Sequence, residues 1–210
     1  MDKQNYFQAL NEFELLDSRL KDLRAYALEH NIPIIEDESL GFLQYLIKVR
    51  QPKKILEIGT AIGYSAISMA RCEDTIHITT IERDEAMIQE AKRNIQTFQL
   101  EHRIRLVEDD AITLDLSILD NDFDLIFIDA AKSQYQHFFE KYTPLLKKRG
   151  IVVTDNILFR DLIFKHDLKH RHTRSLMKKL RQFNAWLKDH PDFYTYFFQI
   201  GDGIALSIKK

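Results

Sequence analysis

The apolar positions of this chain change period several times, and each change marks an element. From residue 3 to about 30, Phe7, Leu10, Phe13, Leu16, Leu20, Leu23, Tyr26 and Ala27 recur at helical intervals in a polar background. That pattern predicts one or two amphipathic helices. Pro33 interrupts it, residues 31–37 read as a connector, and a second helix is expected over about 38–49, stopped near Pro52. Short apolar runs then alternate with helical patterns: strand 54–58, helix 63–71, strand 76–81, helix 84–98, strands 103–107 and 124–128, helix 133–147, strand 150–154. Alternation of this kind argues for a parallel sheet with right-handed crossovers. The end of the chain differs, because a basic helix over about 171–188 precedes two strands, 193–199 and 203–208, joined through Gly201-Asp202-Gly203. Glycines in that position predict an antiparallel hairpin. The expected organisation is one α/β domain over 1–210, with residues 1–50 as a helical cap and 51–210 as a Rossmann-like core.

The stretch Ile55-Leu-Glu-Ile-Gly-Thr-Ala-Ile-Gly-Tyr-Ser65 reads as a buried strand, a glycine turn and the start of a helix. In open α/β sheets ligands bind at the carboxyl edge of the strands, which places a nucleoside-type cofactor here. Gly59 and Gly63 permit close backbone approach, but positions 61 and 64 are Ala and Tyr. The spacing therefore departs from the Gly-x-Gly-x-x-Gly of a dinucleotide fold and disfavours a pyrophosphate cradle.

Composition narrows the classes. A chain of 210 residues with 45% hydrophobic and 30% charged residues suits one well-packed domain. The formal net charge is −2, so attraction to nucleic acid has to come from local clustering. Cys72 is the only cysteine, which excludes an internal disulfide and a cysteine-cluster metal site. No apolar run approaches the roughly 18 residues of a membrane span, and the N-terminus lacks signal-peptide character. The default expectation is a cytoplasmic protein with no membrane partner.

Several polar residues stand at expected strand ends. Glu82 closes the second strand at about the 20-residue offset from the glycine turn where a carboxylate accepts hydrogen bonds from ribose hydroxyls. A glutamate there equally serves as a helix-dipole charge. Asp129 follows Leu125-Ile-Phe-Ile, and Asp155-Asn156 follow Ile151-Val-Val-Thr. Two carboxylates and a carboxamide on adjacent strand ends form an all-oxygen set suited to Mg2+ or Ca2+, with positions left for water or substrate. The same residue types also serve as caps and turns. Lys132 lies three residues beyond Asp129, where a lysine beside a cation and a cofactor can act as a base once its pKa is lowered.

Taken together, Leu56-Glu-Ile-Gly-Thr-Ala-Ile-Gly-Tyr-Ser65, Ile81-Glu82, Asp109-Asp110-Ala111, Phe127-Ile-Asp-Ala-Ala-Lys132 and Val153-Thr-Asp-Asn156 resemble the cation-dependent O-methyltransferases, the family of catechol and caffeoyl-coenzyme A methyltransferases. The resemblance covers roughly residues 35–208. Within the family the chain is most similar to bacterial tRNA 5-hydroxyuridine methyltransferases, chiefly through the segment from Arg174 to Leu187. It implies a class I methyltransferase fold with S-adenosylmethionine in the glycine turn, drawing on Glu57, Gly59, Gly63 and Asp129. It also implies Glu82 on the ribose, Ser65 and Ile35 near the methionine part, Asp110 and Ala111 beside the adenine, and Asp129, Asp155 and Asn156 as Mg2+ ligands. Lys132 is then the proton acceptor. Where relatives often carry Gly-Asp-Ala this chain has Asp109-Asp110-Ala111, so the turn at 109 is expected to be strained or shifted.

The acceptor is read from the segment between Lys165 and Arg181, which carries Lys165, Lys169, Arg171, Arg174, Lys178, Lys179 and Arg181 against Asp167 alone, with His166, His170 and His172 interleaved. Such a concentration binds phosphates. It also suits a solvated helix face over a stripe of Leu176, Leu180, Phe183 and Leu187. Tyr135, His137, Phe159 and Phe164 are candidates to stack on a base, or to fill the core. The first reading is a tRNA methyltransferase converting wobble 5-hydroxyuridine to 5-methoxyuridine, with the anticodon stem-loop as partner and Lys165, Arg171, Arg174, Lys178 and Arg181 on the RNA. The second is an enzyme of the same chemistry acting on a small catechol or phenylpropanoid. The third is a non-catalytic RNA- or nucleotide-binding module. The N-terminal helices and the aromatic strand Phe193-Tyr-Thr-Tyr-Phe-Phe198 are where a homodimer is expected to form, as in relatives.

Overall fold

The computed structural model describes residues 18–165 and 170–210. The apolar positions Phe7, Leu10, Phe13 and Leu16, and His166, Asp167 and Lys169 of the basic segment, lie outside the described residues. The described chain runs through α1 (Ser18–Glu29), α2 (Asp37–Arg50), β1 (Lys54–Ile58), α3 (Tyr64–Ala70), β2 (His77–Glu82), α4 (Glu85–Thr97), β3 (Ile104–Glu108) and β4 (Phe123–Ile128). It continues through α5 (Tyr135–Tyr142), β5 (Leu146–Thr154), α6 (Arg171–Lys188), β6 (Phe193–Phe198) and β7 (Ile204–Lys209). The seven strands form one sheet in the order β3-β2-β1-β4-β5-β7-β6. β1 to β5 pair in parallel, and β7 runs antiparallel to both β5 and β6. This is the mostly parallel sheet with an antiparallel C-terminal pair expected from the sequence.

Strand alternation divides the core in two. Ile55, Leu125, Phe127, Ile151 and Val153 join one cluster with Leu20, Leu23, Leu43 and Ile47 of α1 and α2. Leu56, Ile58, Ile126, Ile128 and Val152 join the other, with Phe138 and Phe139 of α5 and Met177, Leu180 and Phe183 of α6. Successive strand residues point to opposite faces, so a sheet covered by helices on both sides needs near-continuous apolar strands. The two cap helices are tied to each other by charge as well as packing, since Arg24 of α1 donates through Nε to Asp37 Oδ1 of α2 at 2.6 Å.

Two expectations need correction. The helix over 133–147 is shorter: a 3-10 turn Lys132–Gln134 leads into α5, and a 3-10 turn Thr143–Leu145 containing Pro144 ends it. Proline lacks the N–H that would continue the ladder and restricts the residue before it. Residues 146–149 belong to β5 instead, with Leu146 paired to Phe123, so that strand starts four residues earlier than its apolar run. In α6 the inward stripe is Met177, Leu180, Phe183 and Leu187, whereas Leu176 is only partly buried. Among the described residues no helix is long and apolar enough to cross a membrane. β6 is an edge strand with Tyr194, Tyr196 and Phe197 exposed.

Candidate active site

The five parallel strands end in a row. Asp109 N donates to Glu82 O at 2.9 Å, Gly59 N to Ile81 O at 3.1 Å, Asp129 N to Ile58 O at 3.1 Å and Asp155 N to Ile128 O at 3.1 Å. Each strand end is thereby fixed to its neighbour, and Asp109, Glu82, Gly59, Asp129 and Asp155 follow one another along one sheet edge. Chain order reverses between β1 and β4, the switch point where open α/β sheets place their ligands. Gly59 and Asp129 sit at that point. A cavity of about 540 Å³ opens over it, lined among others by Ile35, Gly59, Tyr64, Ser65, Glu82, Asp110, Ala111, Asp129, Lys132 and Asn156.

The walls of this cavity are held by local hydrogen bonds. Glu82 Oε2 accepts from Ala61 N at 2.9 Å, and Oε1 accepts from Arg83 N and Asp84 N at 2.9 and 3.0 Å, so one carboxylate joins the glycine turn to the start of α4. Asp110 Oδ1 accepts from Ile112 N at 2.8 Å and Oδ2 from Arg83 at 3.0 Å. The Ile112 N–H, then Arg83, hold the Asp110 carboxyl below the usual range. Asp109 is absent from the residues with positive φ, and Asp110 N donates to its Oδ1 at 2.6 Å. The strained turn expected there is not found, because an extended or right-handed backbone accepts Asp as readily as Gly.

Glu57 and Gly63 do not line the cavity; they support it. Gly63 caps α3 with φ 85° and sits against Ala91 of α4. Glu57 is fully buried, and its two oxygens accept from Ser65 Oγ and Thr80 Oγ1, both at 2.5 Å. Burial pushes its carboxyl up to about 8 against the opposing pull of the Ser65 and Thr80 hydroxyls. A carboxyl raised on folding favours the native state fully below its unfolded value near 4.5, and that contribution is lost as pH rises toward 8. Urea unfolding should therefore show stability declining from pH 5 to 8 by up to about 1.4 kcal/mol per pH unit from this group. Glu57→Gln should flatten that decline; an unchanged slope would mean that Glu57 ionises freely in the fold.

At the β4 and β5 ends the polar residues come together. Asp155 is fully buried; Oδ1 accepts from Ser39 Oγ at 3.0 Å and from Asn156 N at 2.8 Å, while Oδ2 has no partner. Burial raises both the Asp155 and the Asp129 carboxyls; Asp129 raises Asp155 further, and Lys132 opposes the rise at Asp129. Lys132 Nζ donates to Asn156 Oδ1 at 2.7 Å and lies 5.6 Å from the Phe159 ring. Among the described residues no group of three or more His, Cys, Asp or Glu could hold a metal ion. The set here is different in kind: two carboxylates and an amide oxygen, with one buried carboxylate oxygen unsatisfied. An orphaned acceptor in an all-oxygen set is what a hard cation with few protein ligands would use, so the residues fit one.

A family model described as O-methyltransferase matches residues 11–210. The chain belongs to the O-methyltransferase family. Tapetum-specific methyltransferase 1 of Arabidopsis thaliana is 34% identical over 200 residues, covering 89% of this chain and 84% of the relative. The catechol O-methyltransferase of Niastella koreensis is 32% identical, covering 94% and 98%. A Staphylococcus aureus protein provisionally named a caffeoyl-CoA O-methyltransferase superposes with a TM-score of 0.92 at 41% identity, covering 99% and 100%. The SAH-bound methyltransferase PaMTH1 of Podospora anserina shares the fold with a TM-score of 0.83 at 24% identity, covering 100% and 97%.

In this O-methyltransferase the basic helix divides into faces. Arg171, Arg174 and Lys178 are exposed. Arg181 donates through Nε to Ile163 O at 2.8 Å and through its terminal nitrogen to Lys165 O at 3.0 Å, so it fastens the turn before α6. His172, Ser175 and Lys179 are exposed too, and with Leu176 they line a second cavity of about 460 Å³ together with Ala130, Ala131, Lys132 and Ser133. Of the candidate stacking residues, Tyr135 is buried with its hydroxyl on Asp155 O at 2.9 Å and belongs to the core, whereas Phe164 is exposed. Sequence reasoning passed over Tyr64, whose buried hydroxyl has no partner, and Met87 and Ile112 on the cavity wall. It also missed Ser39, and read Asp202 as turn chemistry only, although Asp202 raises the Asp129 carboxyl. The spacing of Met87 two residues inside α4 after Glu82 is the one signal that could have found it.

Proposed function

We propose that this O-methyltransferase uses S-adenosylmethionine and Mg2+ to methylate one of two vicinal oxygens, with wobble 5-hydroxyuridine of tRNA as the acceptor. The observation that carries it is the meeting, at one sheet edge, of a nucleoside-sized cavity with Asp129, Lys132 and Asn156 on its wall. Glu82 would accept from the ribose hydroxyls, and Asp110, Ala111 and Ile112 would border the adenine. Ile35, Tyr64 and Ser65 would border the methionine part, the Tyr64 hydroxyl being free to donate to a carboxylate. The cofactor supplies an electrophilic sulfonium methyl, and in-line positioning against the acceptor oxygen is most of what transfer requires. Asp129, Asp155 and Asn156 would hold the cation, whose Lewis acidity favours the ionised form of a hydroxyl with a vicinal oxygen. Lys132 Nζ, now donating to Asn156 Oδ1, is the group placed to take the hydroxyl proton.

The nucleic-acid acceptor is supported by the second cavity, which His172 and Lys179 line along with Lys132, so an acceptor reaching the site from that side brings phosphates against basic residues. The small-molecule reading is favoured by the names of the relatives. Methyl transfer from labelled S-adenosylmethionine to tRNA from cells lacking this protein, with Mg2+ and with chelator, separates them when a simple catechol is run in parallel. The expected result is metal-dependent conversion of 5-hydroxyuridine to 5-methoxyuridine. Lys179→Ala should weaken tRNA binding and reduce its salt slope by about 1 for each phosphate no longer neutralised, and more than Lys178→Ala does. Label in the catechol and none in tRNA would overturn the RNA reading and leave the O-methyltransferase chemistry standing.

A further inference from the structure

Asp155 is held by a residue from the far end of the chain. Ser39 lies in the first turn of α2, is 1% exposed, and donates its hydroxyl to Asp155 Oδ1 at 3.0 Å across 116 residues of sequence. The second donor to the same oxygen is the Asn156 backbone at 2.8 Å. With both donors on Oδ1 the carboxylate plane is fixed, and Oδ2 remains buried without a partner. A buried acceptor left open while its twin is doubly satisfied is an arrangement of cost unless something else occupies it.

The hydroxyl is itself confined. Gly201 in the β6–β7 turn has φ +52°, and a Cβ there would lie 2.4 Å from Ser39 Oγ, so the turn backbone closes over the serine. The Gly201 N–H donates to Glu38 Oε2 at 3.1 Å, which locks the same turn to the residue beside Ser39. The helical cap and the C-terminal hairpin therefore converge on one hydroxyl.

We propose that Ser39 is a positioning residue for cation binding: it orients Asp155 so that Oδ2 is presented to the cation. This rests on the cation reading given above. Hydrogen-bond partners of metal ligands fix ligand orientation, and their loss costs about 10- to 100-fold in metal affinity. Mn2+, used as a paramagnetic probe for Mg2+, can be titrated into the cofactor-free protein and followed by water-proton relaxation, independently of turnover. Ser39→Ala should raise the Mn2+ Kd by about 10- to 100-fold. S-adenosylhomocysteine affinity measured without metal should be unchanged. Ser68→Ala is the control, because Ser68 is equally buried and its hydroxyl goes to Tyr64 O at 2.7 Å, away from the cluster; it should leave the Mn2+ Kd unchanged. An unaltered Mn2+ Kd in Ser39→Ala would overturn the proposal, as would a parallel loss of S-adenosylhomocysteine affinity, which marks general distortion. Absence of Mn2+ binding by the unsubstituted protein would overturn the cation reading itself, and the role of Ser39 with it.

Discussion

Replacing Gly59 with alanine is expected to destabilise the protein by at least about 3 kcal/mol, or to prevent folding. Gly59 has φ +100°, and a Cβ built there would lie 2.1 Å from Asp129 O and 2.9 Å from Asp129 C. Neither atom can step aside, because both belong to backbone and Asp129 N is bonded to Ile58 O at 3.1 Å. Relief would require the ends of β1 and β4 to part, which also displaces Asp129 from the cation set. Loss of S-adenosylhomocysteine binding should therefore accompany the loss of stability, both measurable by calorimetry and urea unfolding. Gly41→Ala provides the contrast: Gly41 lies inside α2, and a methyl added there would meet nothing within 4 Å. That substitution should stabilise by about 0.5–1 kcal/mol, the ordinary helix-interior difference. A cost below about 1 kcal/mol for Gly59→Ala would show that the switch point can open without disturbing the sheet.

Asp155→Asn should separate function from stability. Removing one carboxylate from the cation set is expected to lower metal-dependent methyl transfer by about 10³-fold, the scale of losing a dedicated electrostatic group. The same change relieves a fully buried carboxylate that has an unpartnered oxygen and a carboxylate neighbour. Without metal, the variant should be more stable than the parent by about 1–2 kcal/mol, since binding sites are held at a cost to the empty fold. Added Mg2+ should raise the melting temperature of the parent and leave that of the variant where it was. If Asp155→Asn destabilises the metal-free protein instead, the carboxylate serves the fold rather than a cation.

Much of the architecture was legible because it depends on local periodicity. Residues 125–128 of β4 form an unbroken apolar run because both faces of a parallel sheet are covered, and the helical intervals of α4 and α6 come from one buried stripe each. Element ends were less legible where two signals compete. Leu146 to Arg149 look like the end of a helix by pattern, yet they belong to β5, where Leu146 pairs with Phe123 of β4 ahead of an irregularity in the register, because Pro144 had already stopped the helix. Leu176 and Met177 are both apolar, and only the angle at which α6 meets the sheet decides which of them is buried.

The site divides the same way. By itself the sequence determined that a glycine turn follows the first strand, that acidic residues end the second, fourth and fifth strands, and that Lys132 stands close behind Asp129. Those are facts of order along the chain, and a parallel sheet converts them directly into neighbours along one edge. Tertiary structure alone decided which residues stand behind them. Ser39 reaches Asp155 across 116 residues, Glu57 lies beneath the cavity holding Ser65 and Thr80, and Arg181 is spent on backbone carbonyls. Lys179, which looks no different from Lys178 in the sequence, is the one that lines a cavity together with Lys132. The physical reason is range. Periodicity and turn chemistry act over a few residues and leave a trace in the sequence, whereas a hydrogen bond between distant segments is fixed only when the packing of cap, sheet and hairpin brings its two atoms within about 3 Å.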